Sequence, residues 1–340
     1  MSVVLHADDF GLNRAINAGV IRGFERGLLT STALLANAPQ AASGIESWKD
    51  LSRRHAEGVL PSATSRADLD NPGAPFDLGV HLNLTQGRPL TGPKYPCELL
   101  DDRGRFPGIL NLFLRLERRP WRFIAGVRAE LAAQITFLLD HGLRPSHLNG
   151  HQYVEMLPLV AGVVRGLLKT FHIQAIRVAV EPGLLWSTLL RDGRVGPLLL
   201  ALVKQRFARR FRASFVGTRV AYPRAFFGTS SAGRIDARLM ELFLARAPGG
   251  ELSEIGLHPA APGYDADRGE ILDGWLDPLA SLRPGELALL ESAELPGKLK
   301  ARQLKLGRLS QLTTACKSTA LLASKRTLCE RPARQLSIQA

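Results

Sequence analysis

"VVLHADDFGLNRAIN", residues 3–17, is the stretch that decides how the chain is read. An apolar run from Val3 ends on two adjacent carboxylates, Asp8 and Asp9, followed by a Phe10-Gly11 turn. A helix then starts near Asn13, with Ile16, Val20 and Phe24 on one face and Gly27 as its stop. A strand that leaves a core on two like charges needs a compensating charge, and a metal ion beside the strand end would supply it.

The same alternation of strand-like and helix-like runs continues along the chain. "STALLAN" (31–37), "DLGVHLNL" (77–84), "SHLNGH" (146–151), "AIRVAV" (175–180) and "LSEIGLHPA" (252–260) read as strands or strand ends. Helical runs at 126–142 and 157–171, and a long basic amphipathic stretch at 184–212, lie between them. Such alternation predicts an α/β protein with a mostly parallel sheet, either a barrel or an open doubly wound sheet. No GxGxxG or Walker pattern is present, so nucleotide binding has no support.

Composition narrows the class further. Three cysteines, Cys97, Cys316 and Cys329, are odd in number and widely spaced, which disfavours a disulfide framework or structural zinc. No signal-like segment opens the chain and no apolar run is long enough to span a bilayer, so a soluble cytoplasmic protein is expected. The net charge of +13 is concentrated at one end. Ten Lys or Arg and one acid, Glu330, fall in residues 298–340, leaving 34 basic and 30 acidic side chains, a net of +4, in the first 297. The sequence therefore predicts a single domain over 1–297 and a basic, disordered tail over 298–340. Nucleic acid is not an expected partner; peripheral contact of the basic segments with an anionic membrane is the functional alternative to a solvated tail and to a helix packed on the barrel with a snorkelling basic face.

Four strand ends carry groups of metal and acid–base chemistry. Asp8 and Asp9 close the first, His81 lies late in "DLGVHLN", His151 follows "SHLNG", and His258 follows "EIGL". In parallel α/β folds ligands gather at this edge of the sheet. One carboxylate with two imidazoles makes an open site for a divalent cation, leaving the second carboxylate to act as a base.

"HADDFGLNRAINAGVIRGFERGLLTSTALLANAP", "LGVHLNLTQGRPL", "PSHLNGHQYVEMLP" and "EIGLHPA" together resemble the signature segments of the YdjC-like carbohydrate deacetylases, the ChbG/HpnK family. The resemblance runs in order from residue 3 to about 265. It implies an irregular (β/α) TIM-like barrel that removes acetyl groups from N-acetylated sugars or glycolipids with a divalent metal, Mg2+ first and Zn2+ or Mn2+ as alternatives. By position it implies that Asp9, His81 and His151 hold the metal, that Asp8 is the general base and that His258 is the general acid or oxyanion partner. A homo-oligomer is also expected, and glycolipid substrates would place the protein at the inner membrane surface.

One departure bears on activity. The family commonly continues the third segment as HQHVH, whereas Tyr153 and Glu155 stand at the two later histidine positions here. Tyr153, Phe227 in "PRAFFGTSSAGRID" and the in-strand charge Arg177 are the candidate substrate contacts, and His147 is either a support for the site or a structural residue. Two rivals remain open at this point: a non-catalytic sugar-binding relative, and a metal-dependent phosphoesterase on a similar barrel.

Overall fold

The computed structural model describes residues 2–59, 76–183, 195–263 and 273–312. Its centre is a parallel sheet in the order β5-β4-β3-β2-β1-β7-β6, with β8 added beside β1. The strands are β1 (Ser2–Phe10), β2 (Ser31–Leu34), β3 (Asp77–Leu82), β4 (His147–Gly150), β5 (Ala175–Ile176), β6 (Ala225–Phe227), β7 (Leu252–Leu257) and β8 (Lys305–Leu306). The sheet curls into a half-barrel, not the closed TIM-like ring expected from the resemblance. The edge strands β5 and β6 are too short to form a ladder. Among the described residues they approach through the bridge Ala175–Ala221 and the Phe226 N–H to Val180 carbonyl bond of 3.0 Å.

Nine helices flank the sheet among the described residues: α1 (Arg14–Glu25), α2 (Ala41–Ala56), α3 (Ile109–Arg118), α4 (Pro120–Asp140), α5 (Pro158–Thr170), α6 (Val195–Ala213), α7 (Ala237–Arg246), α8 (Arg283–Glu291) and α9 (Glu294–Ala301). α1 begins as its sequence indicates, because the Asn13 side chain accepts the Ile16 N–H at 2.8 Å and satisfies a donor the helix cannot. Ile16, Val20 and Phe24 are buried on one face. Gly27, just beyond the helix, has φ 74°, a left-handed geometry that glycine adopts without strain. The expected run 184–212 is helical from Val195 onward, and its first part, 184–194, lies outside the described residues.

Two contacts place the far end of the chain. A Cβ on Gly19 would come within 2.6 Å of Ala260, so a residue without a side chain lets α1 abut the segment after β7. The Ala261 N–H to Ala15 carbonyl bond of 2.9 Å locks that approach. The boundary expected at residue 298 falls inside α9. Leu299, Leu304 and Leu309 are buried, β8 pairs with Ser2 and Val3, and the Ser310 N–H donates to Asp77 at 2.8 Å. Residues 298–312 therefore belong to the domain, because Leu299 and Leu304 join the main core and Leu309 packs with Val4 and Leu252, without forming a periodic stripe. The remainder of the expected tail, 313–340, lies outside the described residues.

Candidate metal and catalytic site

Consecutive residues of a regular strand face opposite sides of the sheet, so Asp8 and Asp9 should diverge. They do not, because β1 breaks its register against β2 between Ala7 and Phe10 and Asp9 adopts φ 64°. A left-handed backbone is uncommon for a residue with a Cβ, and such strain gathers at functional sites. Both carboxylates consequently line one cavity of about 670 Å³, together with His81, His151 and His258.

Each carboxylate has its own arginine. Arg177 Nη1 donates to Asp8 Oδ2 at 2.6 Å, while its Nε donates to Glu254 at 2.8 Å. Arg283 Nη2 donates to Asp9 Oδ2 at 2.6 Å and pairs also with Asp277. Asp8, Asp9, Arg177, Arg283 and Glu254 are all buried. Burial alone would raise both carboxyls, but the Arg177 and Arg283 guanidiniums, with the neighbouring histidines, hold Asp8 and Asp9 well below the usual carboxylate range. The repulsion between the two acids is thus already offset by two fixed cations.

The remaining oxygens face the imidazoles. Asp9 Oδ1 lies 2.9 Å from His151 Nδ1 and 3.4 Å from His81 Nε2. Asp9, His81 and His151 each present a ligand atom within 4.8 Å of the others. His81 is oriented from behind: its Nδ1 is 2.9 Å from Asn149 Oδ1, and Asn149 Nδ2 donates to Asp8 Oδ1 at 2.9 Å. With its amide nitrogen committed to Asp8, Asn149 offers only an acceptor to the ring. His81 therefore carries a proton on Nδ1, which leaves Nε2 as the ring atom that would face a cation beside Asp9. His151 Nε2 is buried without a partner. One carboxylate, two imidazoles and an orphaned ring nitrogen fit a divalent cation.

His258 follows β7, and its Nε2 stands 3.7 Å from Asp8 Oδ2. Its backbone N–H donates to Glu286 at 2.5 Å, fixing the turn that presents the ring. Burial pushes the imidazole down to about 4, so it is neutral near pH 7.

The other sequence candidates separate. Tyr153 lines the cavity, and with Gln152 it forms two successive left-handed residues, φ 62° and 54°, directly after His151. Lys204 Nζ sits 5.2 Å above its ring. Glu155 does not reach the cavity: it is fully buried behind Gly150, where a Cβ would meet its Oε2 at 2.0 Å. Of the two departures from the family's histidines, only Tyr153 therefore touches the cavity. Arg177 does not line the cavity and serves Asp8 and Glu254 instead. Phe227 is buried and stacks on Phe243 at 5.2 Å, away from the cavity. His147 is also buried, against Ser146 Oγ at 2.8 Å and the His6 ring at 5.1 Å.

Sequence reading missed Arg283, Asp277, Asn149, Glu254 and Glu286. Only Asn149 left a signal, its alternation with His147 and His151. The arginine–acid partners are separated by 169 and 274 positions, beyond the reach of any spacing rule.

The fold and site define a parallel α/β half-barrel with acid and imidazole groups gathered at the carboxyl edge of its sheet. The family model described as YdjC-like protein matches residues 2–301, and the chain belongs to that family. A human protein named carbohydrate deacetylase is 30% identical over 272 residues, covering 77% of this chain and 76% of its own. A carbohydrate deacetylase of Vibrio cholerae serotype O1 (strain ATCC 39541) is 27% identical over 173 residues, so this chain spans 57% of that relative's length and 51% of its own is matched. The crystal structure of a proposed cellobiose-phosphate cleavage protein from Enterococcus faecalis V583 superposes with a TM-score of 0.64 at 20% identity, covering 92% of this chain and 98% of that one. That likeness extends the fold assignment across almost the whole chain. Among the described residues, no helix is long and apolar enough to cross a membrane.

Proposed function

We propose that the chain is a metal-dependent carbohydrate N-deacetylase whose metal ligands are Asp9, His81 and His151. The observation that carries this reading is the division of the two carboxylates: Asp9 Oδ1 lies 2.9 and 3.4 Å from the His151 and His81 ring nitrogens, while Asp8 is held by Arg177, Asn149 and, at 3.1 Å, His6, with His258 3.7 Å from its other oxygen. A divalent cation, Mg2+ first and Zn2+ or Mn2+ next, would polarise an amide carbonyl and acidify water there. Asp8, kept ionised and oriented by Arg177 and Asn149, takes the proton of the attacking water. His258, neutral and 3.7 Å from Asp8 Oδ2, takes that proton on and delivers it to the departing amine nitrogen.

The cavity walls point to the substrate. Beyond the acids and imidazoles they are mostly apolar, with Ile109, Phe113, Met156, Leu157, Phe207 and Leu279 among them, alongside the polar Gln86, Gln152, Lys204, Thr229 and Arg283. Such walls favour an N-acetylated sugar carrying an apolar aglycone over a long polar oligosaccharide, with Tyr153 as the aromatic platform for the sugar face. The names of the relatives support a sugar substrate.

The test is an assay of the purified protein with added divalent metal on N-acetylated mono- and oligosaccharides, an N-acetylated alkyl glycoside and p-nitrophenyl phosphate. Amine release from the alkyl glycoside is expected, abolished by chelation. Phosphate release alone would make it a phosphoesterase, and sugar binding without amine release would make it a non-catalytic relative.

A further inference from the structure

The mouth of the cavity lies beneath an exposed apolar and basic face. On α6, Leu199, Leu202 and Val203 are 66, 47 and 45% exposed. Arg206, Arg209 and Arg210 continue the same stripe at helical spacing and are exposed. On α3, Leu110 and Leu114 are 67 and 49% exposed, and Trp121 at the start of α4 is 74% exposed. Phe113 of α3 and Phe207 of α6 pack edge to face at 5.9 Å, so the two helices form one surface. Leu110, Leu200 and Val203 belong both to this surface and to the cavity lining, which makes the face continuous with the site.

A soluble protein has no reason to leave several large apolar side chains side by side in water. The charge around them selects what covers them. α3 and α6 together carry seven Lys or Arg and one acid, Glu117. A second copy of the chain would bring basic against basic across a two-fold interface, which costs free energy. An anionic lipid surface satisfies both halves of the stripe, with leucines in the acyl boundary and arginines at the headgroups.

We propose that α3, the start of α4 and α6 form a docking face for an anionic membrane, and that the cavity opens toward that surface. The docking is a property of the face itself and does not depend on the chemistry at Asp8 and Asp9.

The full-length protein is tested by co-sedimentation with vesicles of phosphatidylcholine alone and with roughly 30 mol % phosphatidylglycerol. Binding is expected only to the anionic vesicles, weakening as salt rises from about 50 to 500 mM. The substitutions L114S, W121S, L199S and L202S, none of them in the cavity lining, are expected to lower partition by about tenfold or more. R206E with R209E is expected to lower it similarly by removing the headgroup contacts. Equal binding of these variants and the parent would overturn the proposal and place the contact in another basic segment. Absence of parent binding to anionic vesicles would overturn it outright. A parent dimer that the leucine substitutions dissociate would instead assign the face to a second copy. A fall in the variants' melting temperature of more than about 5 °C would assign it to packing within the chain.

Discussion

Arg177 Nη1 lies 2.6 Å from Asp8 Oδ2 while the same guanidinium reaches Glu254, so one buried cation serves two buried carboxylates. Removing one member of a buried charge cluster leaves the others uncompensated, which costs about 3–5 kcal/mol. Arg177→Met is therefore expected to lower the melting temperature strongly. Arg177→Lys keeps the charge but cannot span both acids, and is expected to fold with reduced kcat. A thermal melt of Arg177→Met that matched the parent would show that Asp8 is balanced by some other group.

Asn149 connects the two halves of the site, accepting from His81 and donating to Asp8. Loss of a partner that fixes a ligand imidazole typically costs 10–100-fold in metal affinity. Asn149→Ala is expected to bind added divalent metal that much more weakly in titration calorimetry, with an unchanged circular dichroism spectrum. Unchanged affinity would mean that packing alone orients His81.

Glu155 gives the pH dependence of stability a specific slope. Burial pushes its carboxyl up to about 8 from an ordinary 4.5. The folded chain therefore keeps this proton longer than the unfolded chain does. Its contribution is fully present below about 4.5 and is lost as pH rises toward 8. His258 has the opposite sign, since its folded value of about 4 lies below the ordinary 6.5, so stability grows as pH rises between them. Glu286, raised by burial to about 7, also loses its share as pH rises through that value. Above pH 7 Glu155 shares the further decline with Glu286, which is still titrating there, and with His81, which despite its burial is raised by Asp8 and Asp9. Melting temperatures of the parent and Glu155→Gln are expected to diverge between pH 7 and 8, with the parent falling more steeply than the variant. Parallel curves would show that the carboxyl ionises without cost.

How much of this was legible in the sequence follows the range of the interactions. β1, its turn and α1 depend on residues within a few positions of one another, and Asn13, Gly11 and Gly27 marked them. Asp8, Asp9, His81, His151 and His258 could be gathered because a parallel sheet brings its strand ends to one edge, wherever they lie in the chain. What closes the site does not follow from local spacing. Arg177 looked like a substrate contact because an inward charge in a strand has no visible partner until Asp8 and Glu254 are placed. Arg283 gave no signal at all. Phe227 read as a pocket aromatic because composition does not say toward which neighbour a ring turns. Openness of the barrel was equally hidden, since it depends on the shortness of β5 and β6, and "AIRVAV" reads as six strand residues while only two pair.

The chain end gives a second case, and it reverses the sequence expectation. Cutting after residue 297 removes Leu299, Leu304, Leu309 and the β8 pairing to Ser2 and Val3. Each buried leucine contributes roughly 1.5–3 kcal/mol, so this truncation is expected to unfold the protein or lower its melting temperature severely. Cutting after 312 leaves all of those contacts in place and is expected to preserve the melting temperature. Identical melting of the two truncations would return 298–312 to the tail.

Asp8 and Asp9 are adjacent, both buried and both held ionised, yet their partners assign them different work. Asp9 Oδ1 is shared between two imidazoles, a position for a ligand that never exchanges its proton. Asp8 Oδ2 stands beside His258, a position from which a proton can be passed on. Asp8→Asn keeps the shape of the side chain and cannot accept a proton. It is expected to bind metal nearly normally while kcat falls by about two to four decades. Asp9→Asn removes an anionic ligand and leaves Arg283 with Asp277, so weakened metal binding is expected, with activity partly restored at high metal concentration. Metal titration of both variants, read by calorimetry and by turnover, checks the division. Rescue of Asp8→Asn by excess metal, with none for Asp9→Asn, would exchange the two roles.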